Sequence, residues 1–180
     1  MNRVTVGKAT PGLAEVLLEE NASPSVAIAY DSRHHSAEFA REAAAILTAN
    51  GIRVHLYPEL MPTPALSYAV RELGCDAGIM ITASHNPPAY NGYKVYDRSG
   101  GQIISEFAAR VSRAIAGVDP FTGVRRGDFS AQLEGGKIQM ISPEFIQQYI
   151  DAVREQMLDR TAFVDSDIKV AYSCLLYTSP

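Results

Sequence analysis

The run Thr82-Ala83-Ser84-His85-Asn86-Pro87-Pro88-Ala89-Tyr90-Asn91-Gly92-Tyr93-Lys94 places a serine hydroxyl, an imidazole, two carboxamides and an ammonium in one loop directly after an apolar stretch. Such a loop can hold a phosphate, because hydroxyl, amide and ammonium groups all donate hydrogen bonds to an anion. Two plainer readings of Ser84 stand beside that one. A lone turn serine bonds its own backbone. A serine next to a histidine suggests a hydrolase, but Gly-x-Ser-x-Gly is absent and Asn86-Pro87-Pro88 does not make a nucleophile elbow. Lys94 would by default be a solvated strand residue with a pKa of about 10.4, too protonated to take a proton at neutral pH. Neighbouring cations disfavour its charged form and would make it a candidate general acid or base.

Ligands of open α/β sheets bind beyond the carboxyl ends of the strands, and further loops leave those ends at Asp31-Ser32-Arg33-His34 and Pro62-Thr63-Pro64. Arg33 offers a planar fork of donors for phosphate, and the start of the helix at Ala65 offers unpaired N–H groups at the positive end of a dipole. Adjacent His34 and His35 point apart, as neighbours on a loop or helix start do, and receive no role. Cys75 reads as a core thiol. Asp165-Ser166-Asp167 reads as a solvated acidic loop.

The elements that must position these groups follow from periodicity. The apolar run at 26–30 reads as a strand buried on both faces, and 53–57 and 77–81 read as the second and third strands. Ser36 is expected to cap a helix with Phe39, Ala43, Ile46 and Leu47 on one face and a left-handed stop at Asn50-Gly51. A second helix carries Leu66, Ala69, Val70 and Leu73 up to Gly74, and residues 10–19 form another covering helix. The alternation strand, helix, strand implies right-handed parallel crossovers and a sheet covered on both sides. Residues 93–96 add a strand, a turn at 98–101 leads to a short return strand at 102–104, and residues 106–116 form a helix with Phe107, Val111 and Ile115 along one face. The stretch 119–137, rich in glycine and charge, is expected as a linker or β-turn region that holds the domain boundary rather than as a core element. Beyond it, Ser142-Pro143 starts a helix and residues 168–172 form a strand.

Composition sets limits. A net charge of -4 over 180 residues, with no basic block longer than Arg125-Arg126, speaks against a nucleic-acid partner. Two widely separated cysteines support neither a disulfide framework nor a zinc cluster and suit a reduced, cytoplasmic setting. No apolar run approaches the roughly 18 residues of a membrane helix, and the start lacks a signal-peptide core, so no membrane association is expected.

Residues 82–94 resemble, nearly letter for letter, the phosphoserine loop of the α-D-phosphohexomutases, the phosphoglucomutases and phosphomannomutases. The resemblance extends from about Asn2 to Tyr172 through Asn2-Arg3, Ala9-Thr10-Pro11-Gly12-Leu13-Ala14, Ala29-Tyr30-Asp31-Ser32-Arg33-His34-His35-Ser36 and Met61-Pro62-Thr63-Pro64. The stretches 90–96 and 101–103 favour the bacterial phosphoglucomutase branch that lies close to phosphopentomutases. The resemblance implies an α/β fold, a three-layer α/β/α domain I with a mixed, mainly parallel sheet over 1–135, followed at 136–180 by the truncated start of a second similar domain, with 173–180 departing from the family pattern. It implies an isomerase in which phosphorylated Ser84 passes its phosphoryl group to a hexose 1- or 6-phosphate and recovers one from the bound 1,6-bisphosphate. Ser84, His85, Lys94 and Arg33 are then the catalytic set, and Asn86, Asn91 and Thr63 bind substrate or phosphate. Mg²⁺ would touch Ser84 through its phosphate and take most of its ligands from the second domain. Glucose 1,6-bisphosphate would be activator and intermediate. The partners implied are sugar phosphates and the remaining domains II–IV, without which the isolated chain is expected to be inactive. A phosphopentomutase, a phosphomannomutase and a non-catalytic sugar-phosphate-binding domain remain the alternatives.

Overall fold

The computed structural model describes residues 1–159, 161, 167–169 and 171. Its first compact unit is Met1–Ile141 and its second begins at Ser142. The first unit is built on a five-stranded sheet of order β4-β3-β1-β2-β5. Its strands are β1 (Ser25–Tyr30), β2 (Arg53–Leu56), β3 (Ala77–Ile81), β4 (Tyr93–Asp97) and β5 (Ile138–Met140). β1 pairs in parallel with β2 and β3, and β2 with β5, while β4 runs antiparallel to β3, so the sheet is mixed at one edge as expected.

Side chains alternate across a strand, and the two faces of this sheet carry different sizes. Val26, Ile28, Val54, Leu56, Ala77, Ile79, Ile81 and Val95 pack in one buried cluster with residues of α1 (Arg3–Glu20), α2 (Ser36–Ala49) and α4 (Ser105–Gly117). On β1 and β3 the other face has the small Ala27, Ala29 and Gly78 beside Met80, and it receives α3 (Thr63–Glu72). A Cβ on Gly78 would lie 2.6 Å from Val70 Cγ2, so the glycine sets how closely α3 can lie. Fully buried Leu13, Leu17, Ile28, Ile46, Leu66, Ile79 and Ile81 supply much of the apolar burial. At roughly 1.5–3 kcal/mol per such side chain, this burial is what stabilises the layers. No helix among the described residues is long and apolar enough to cross a membrane.

Several elements differ from expectation. The N-terminal helix starts at Arg3, where Asn2 and Thr5 exchange hydrogen bonds in a capping box, rather than at Thr10. It continues through Pro11 because Val6, Leu13, Ala14 and Leu17 share one buried face, and that burial outweighs the lost N–H. Gly12 then lets α4 approach, since a Cβ there would lie 2.6 Å from the Ile115 nitrogen. Ser36 does not cap α2; the N-cap is His35, left-handed at φ 62°, and the Ser36 hydroxyl is engaged elsewhere. The left-handed stop at Gly51 is present, at φ 85°. Residues 102–104 form only a single bridge, Tyr96 to Gln102, rather than a strand. The stretch 119–137 carries α5 (Phe129–Glu134), with Phe129 packed against the core, and leads into β5. In the second unit α6 (Pro143–Glu155) is capped by Ser142, whose Oγ accepts the Phe145 N–H at 3.3 Å. Val170 and Tyr172 of the expected strand, Asp165-Ser166 of the acidic loop and the tail 173–180 lie outside the described residues.

Candidate active site

β3 ends at Ile81 and the chain returns as β4 at Tyr93, so the loop between them leaves and re-enters the sheet on adjacent antiparallel strands. Its feet are tied where the Thr82 N–H donates to Gly92 O at 3.0 Å, and the Asn91 Oδ1 accepts the N–H of its neighbour Gly92 at 2.9 Å. Gly92 has no room for a side chain, because a Cβ would lie 2.6 Å from Thr82 O. Within the loop, Asn86 N–H and its Nδ2 both donate to Ala83 O, at 3.1 and 3.0 Å, and the Tyr90 N–H donates to Pro87 O at 2.9 Å.

Ser84 is exposed and left-handed, with φ 57°, a conformation that costs a non-glycine residue free energy unless its surroundings hold it. Its hydroxyl meets the Lys94 ammonium, Nζ to Oγ 2.5 Å. The register explains how Lys94 arrives there. Opposite Met80 on β3, its side chain leaves the sheet on the α3 side, while Tyr93 and Val95 turn toward the helix layer. Tyr93 places its hydroxyl fully out of water, and burial raises that phenol's pKa.

Arg33 lies under the loop rather than on its surface, with its side chain 0 % exposed. The donor fork expected to face a phosphate is turned onto the loop's own carbonyls. Nη1 donates to Asn86 O at 2.6 Å, Pro87 O at 3.0 Å and Tyr90 O at 3.1 Å, Nη2 donates to Ser84 O, and Nε donates to Asp31 Oδ2 at 2.8 Å. Successive prolines add to the demand, since Pro87 and Pro88 bring no N–H to a loop that also presents the carbonyls of Ser84, Asn86 and Tyr90. Asp31 also accepts the Thr82 hydroxyl at 2.6 Å, the Ser36 hydroxyl at 3.1 Å and the Arg33 N–H at 3.2 Å. The Thr82 oxygen in turn accepts the Ser84 N–H at 3.0 Å. Asn91 Nδ2 bridges to Ser36 Oγ at 2.8 Å and His34 O at 3.2 Å, so Asn91 also faces the scaffold.

The structure therefore brings Ser84 and Lys94 into contact and places His85 and Asn86 beside them, exposed on the same loop. Thr63 lies at the start of α3 next to the Tyr96 phenol; burial raises the Tyr96 pKa and the Thr63 hydroxyl pulls it back. Of the adjacent histidines, His35 Nδ1 pairs with Glu38 Oε2 at 2.8 Å. Cys75 is buried, and burial pushes its thiol up to about 11. Asp31, Thr82 and Ser36 are the contributors that sequence reasoning passed over. For Asp31 and Thr82 the signal was a polar side chain just beyond the carboxyl end of an apolar strand, and for Ser36 a hydroxyl at the start of α2.

Residues 1–120 match the family model described as phosphoglucomutase/phosphomannomutase, alpha/beta/alpha domain I. A phosphoglucomutase of Staphylococcus saprophyticus is 38% identical over 180 residues, covering 99% of this chain and 32% of the relative. A phosphoglucomutase of Staphylococcus aureus (strain COL) is 46% identical over 121 residues, covering 67% of this chain and 22% of the relative. A solved structure from Thermus thermophilus, provisionally named a phosphomannomutase, superposes with a TM-score of 0.74 at 28% identity, over 87% of this chain and 32% of that one. The chain thus spans about 32% of the length of the first of these relatives.

Proposed function

The chain belongs to the phosphoglucomutase/phosphomannomutase family through its α/β/α domain I, and from that membership we propose that it carries the phosphoryl-accepting serine of an enzyme interconverting hexose 1- and 6-phosphates. The observation that carries the reading is the Ser84 Oγ to Lys94 Nζ contact of 2.5 Å on an exposed, left-handed loop at the carboxyl end of β3. An ester at Ser84 adds a charge of about -1.5 to -2, and a sugar phosphate can approach it only where cations offset the repulsion. The Lys94 ammonium would supply one such cation.

In the forward half-reaction the Ser84 Oγ–P bond breaks as a sugar hydroxyl oxygen forms its own bond to phosphorus. The hydroxyl gives up its proton, and Ser84 is left with a free hydroxyl. The bisphosphate then turns and returns its other phosphoryl group to Ser84 by the reverse exchange. Lys94 stabilises the transferring charge and is the nearest group to hold or release the proton. His85 and Asn86 border the path of the incoming phosphate, while Arg33 and Asn91 shape the loop from below. Thr63 and the amide end of α3 offer a second anion-binding edge.

Magnesium belongs to the same reading as the counter-charge of the phosphorylated serine. The donors described here do not build its cage, since no group of three or more His, Cys, Asp or Glu is placed to hold a cation among the described residues, and the Asp31 oxygens already accept four hydrogen bonds. Its other ligands belong to later domains, with which this chain would line a shared cleft. A cytoplasmic setting fits a chain with few cysteines and one buried thiol. The choice among glucose, mannose and ribose phosphates would lie with those later domains.

The test uses this chain joined to its remaining domains. Mass spectrometry should find phosphate on the Ser84 peptide after exposure to a hexose 1,6-bisphosphate, and Ser84→Ala should lower turnover by at least about 10³-fold. An alanine enzyme at wild-type rate would end the proposal. A chain that binds sugar phosphate but never becomes phosphorylated would be the non-catalytic module instead.

A further inference from the structure

We propose that Thr82 and Asp31 are positioning residues for the reacting serine, clamping both peptide groups that flank Ser84 to one carboxylate. The inference rests on the phosphoserine reading above and adds residues that make no contact with the transferring group. The Thr82 hydroxyl has one proton, and Asp31 Oδ2 takes it at 2.6 Å. The Thr82 oxygen must therefore act as acceptor toward the Ser84 N–H, which it meets at 3.0 Å. The direction of this relay is fixed by the charge on Asp31. On the other side of the residue, Ser84 O accepts from Arg33 Nη2, and Arg33 is oriented by its Nε bond to the same Asp31 Oδ2 at 2.8 Å. The peptide before Ser84 is held through Thr82 and the peptide after it through Arg33. These two ties account for the φ of 57°, which an isolated serine would leave.

The chemistry gives the clamp its purpose. Ser84 must present its oxygen in line with phosphorus twice per cycle, once as an ester and once as a hydroxyl, with a different charge each time. A loop held only by contacts to the phosphate would relax when the phosphate left. The Asp31 clamp makes no use of the phosphate, so it holds the serine in both states. Thr82 is 5% exposed and sits behind the loop, which keeps water from competing for its hydrogen bonds.

Isosteric substitutions in the enzyme with all its domains separate this role from packing. Thr82→Val keeps the shape and loses the relay, whereas Thr82→Ser keeps the relay and loses a methyl group. Misplacing a reacting atom by an ångström costs about 10²-fold, so Thr82→Val should lower kcat by about 10- to 100-fold with KM for the sugar phosphate changed less than about 3-fold. Thr82→Ser should stay within about 3-fold of wild type in kcat by the same reasoning. A valine enzyme at wild-type rate, or a serine enzyme as slow as the valine one, overturns the proposal. Should the valine variant fail to fold, amide hydrogen exchange on the wild-type enzyme decides the matter. The Ser84 N–H should exchange at least about 10-fold more slowly than an unstructured chain, and exchange at the free-chain rate overturns the clamp. Ser84→Ala run in the same assay separates the two claims: if it is inactive while Thr82→Val is normal, only the positioning role falls, and if it is fully active the phosphoserine reading falls with it.

Discussion

Two arginine–carboxylate clusters in the first unit use the same pair of groups in opposite senses. Beneath the site loop the cation is the buried member: the Arg33 side chain is 0% exposed and that of Asp31 25%. Between α1, α2 and the approach to α5 the anion is the buried member. There the Glu42 side chain is 8% exposed and accepts Arg3 Nη2 at 2.8 Å and Arg126 Nε at 2.6 Å, from side chains that are 70% and 36% exposed. A buried carboxylate gathers donors from distant parts of the chain and so ties segments together. A buried guanidinium has donors left after its ion pair, and here they reach the carbonyls of Ser84, Asn86, Pro87 and Tyr90 in a loop whose two prolines bring no N–H of their own. The first arrangement secures topology; the second gives shape to a loop with no regular structure.

Substitutions can break this contrast. Arg33→Met leaves Asp31 and the loop carbonyls without their main donor, and it should cost about 3 kcal/mol in equilibrium urea unfolding, as removal of one buried partner does. A loss below about 1 kcal/mol would mean that the loop opens locally, outside the cooperative unit. Glu42→Gln keeps a hydrogen-bonding group under two arginines that can turn toward water, so the same measurement should give about 1–2 kcal/mol. If it matches Arg33→Met, the two clusters are equivalent and the contrast fails. Arg3→Ala removes only the more exposed partner and should cost less than about 1 kcal/mol. The smallest effect sharpens the comparison most. At 1 M salt, where the screening length is about 3 Å, the Arg3→Ala difference should shrink toward zero while the Arg33→Met difference persists.

Much of this was legible from residue patterns, and the exceptions share a cause. β1 and β3 are continuous apolar runs because helices cover both faces, and the antiparallel return of β4 follows from the turn chemistry around the loop. The start of α1 was hidden by Pro11, since a local breaker signal conceals a helix whose stability comes from a long buried face. The helix at 129–134 was hidden by flanking glycines that mark its ends rather than its absence. At the site, Ser84 and Lys94 were legible as chemistry, but the orientation of Arg33 was not. An arginine near a candidate phosphate loop reads as a ligand for the phosphate. Only a count of the loop's carbonyls against its N–H groups, with Pro87 and Pro88 unable to donate, points the side chain inward. Ser36 likewise reads as a cap until Asp31 and Asn91 claim its hydroxyl.

Ser84, in the loop, and Lys94, on the returning strand, belong to one β3–loop–β4 hairpin, whose register sets Lys94 opposite Met80. The reactive pair is therefore inherited as a unit. A recombination crossover anywhere outside residues 77–97 transmits both partners together, so chimaeras between relatives can exchange the flanking helices without separating the serine from its lysine.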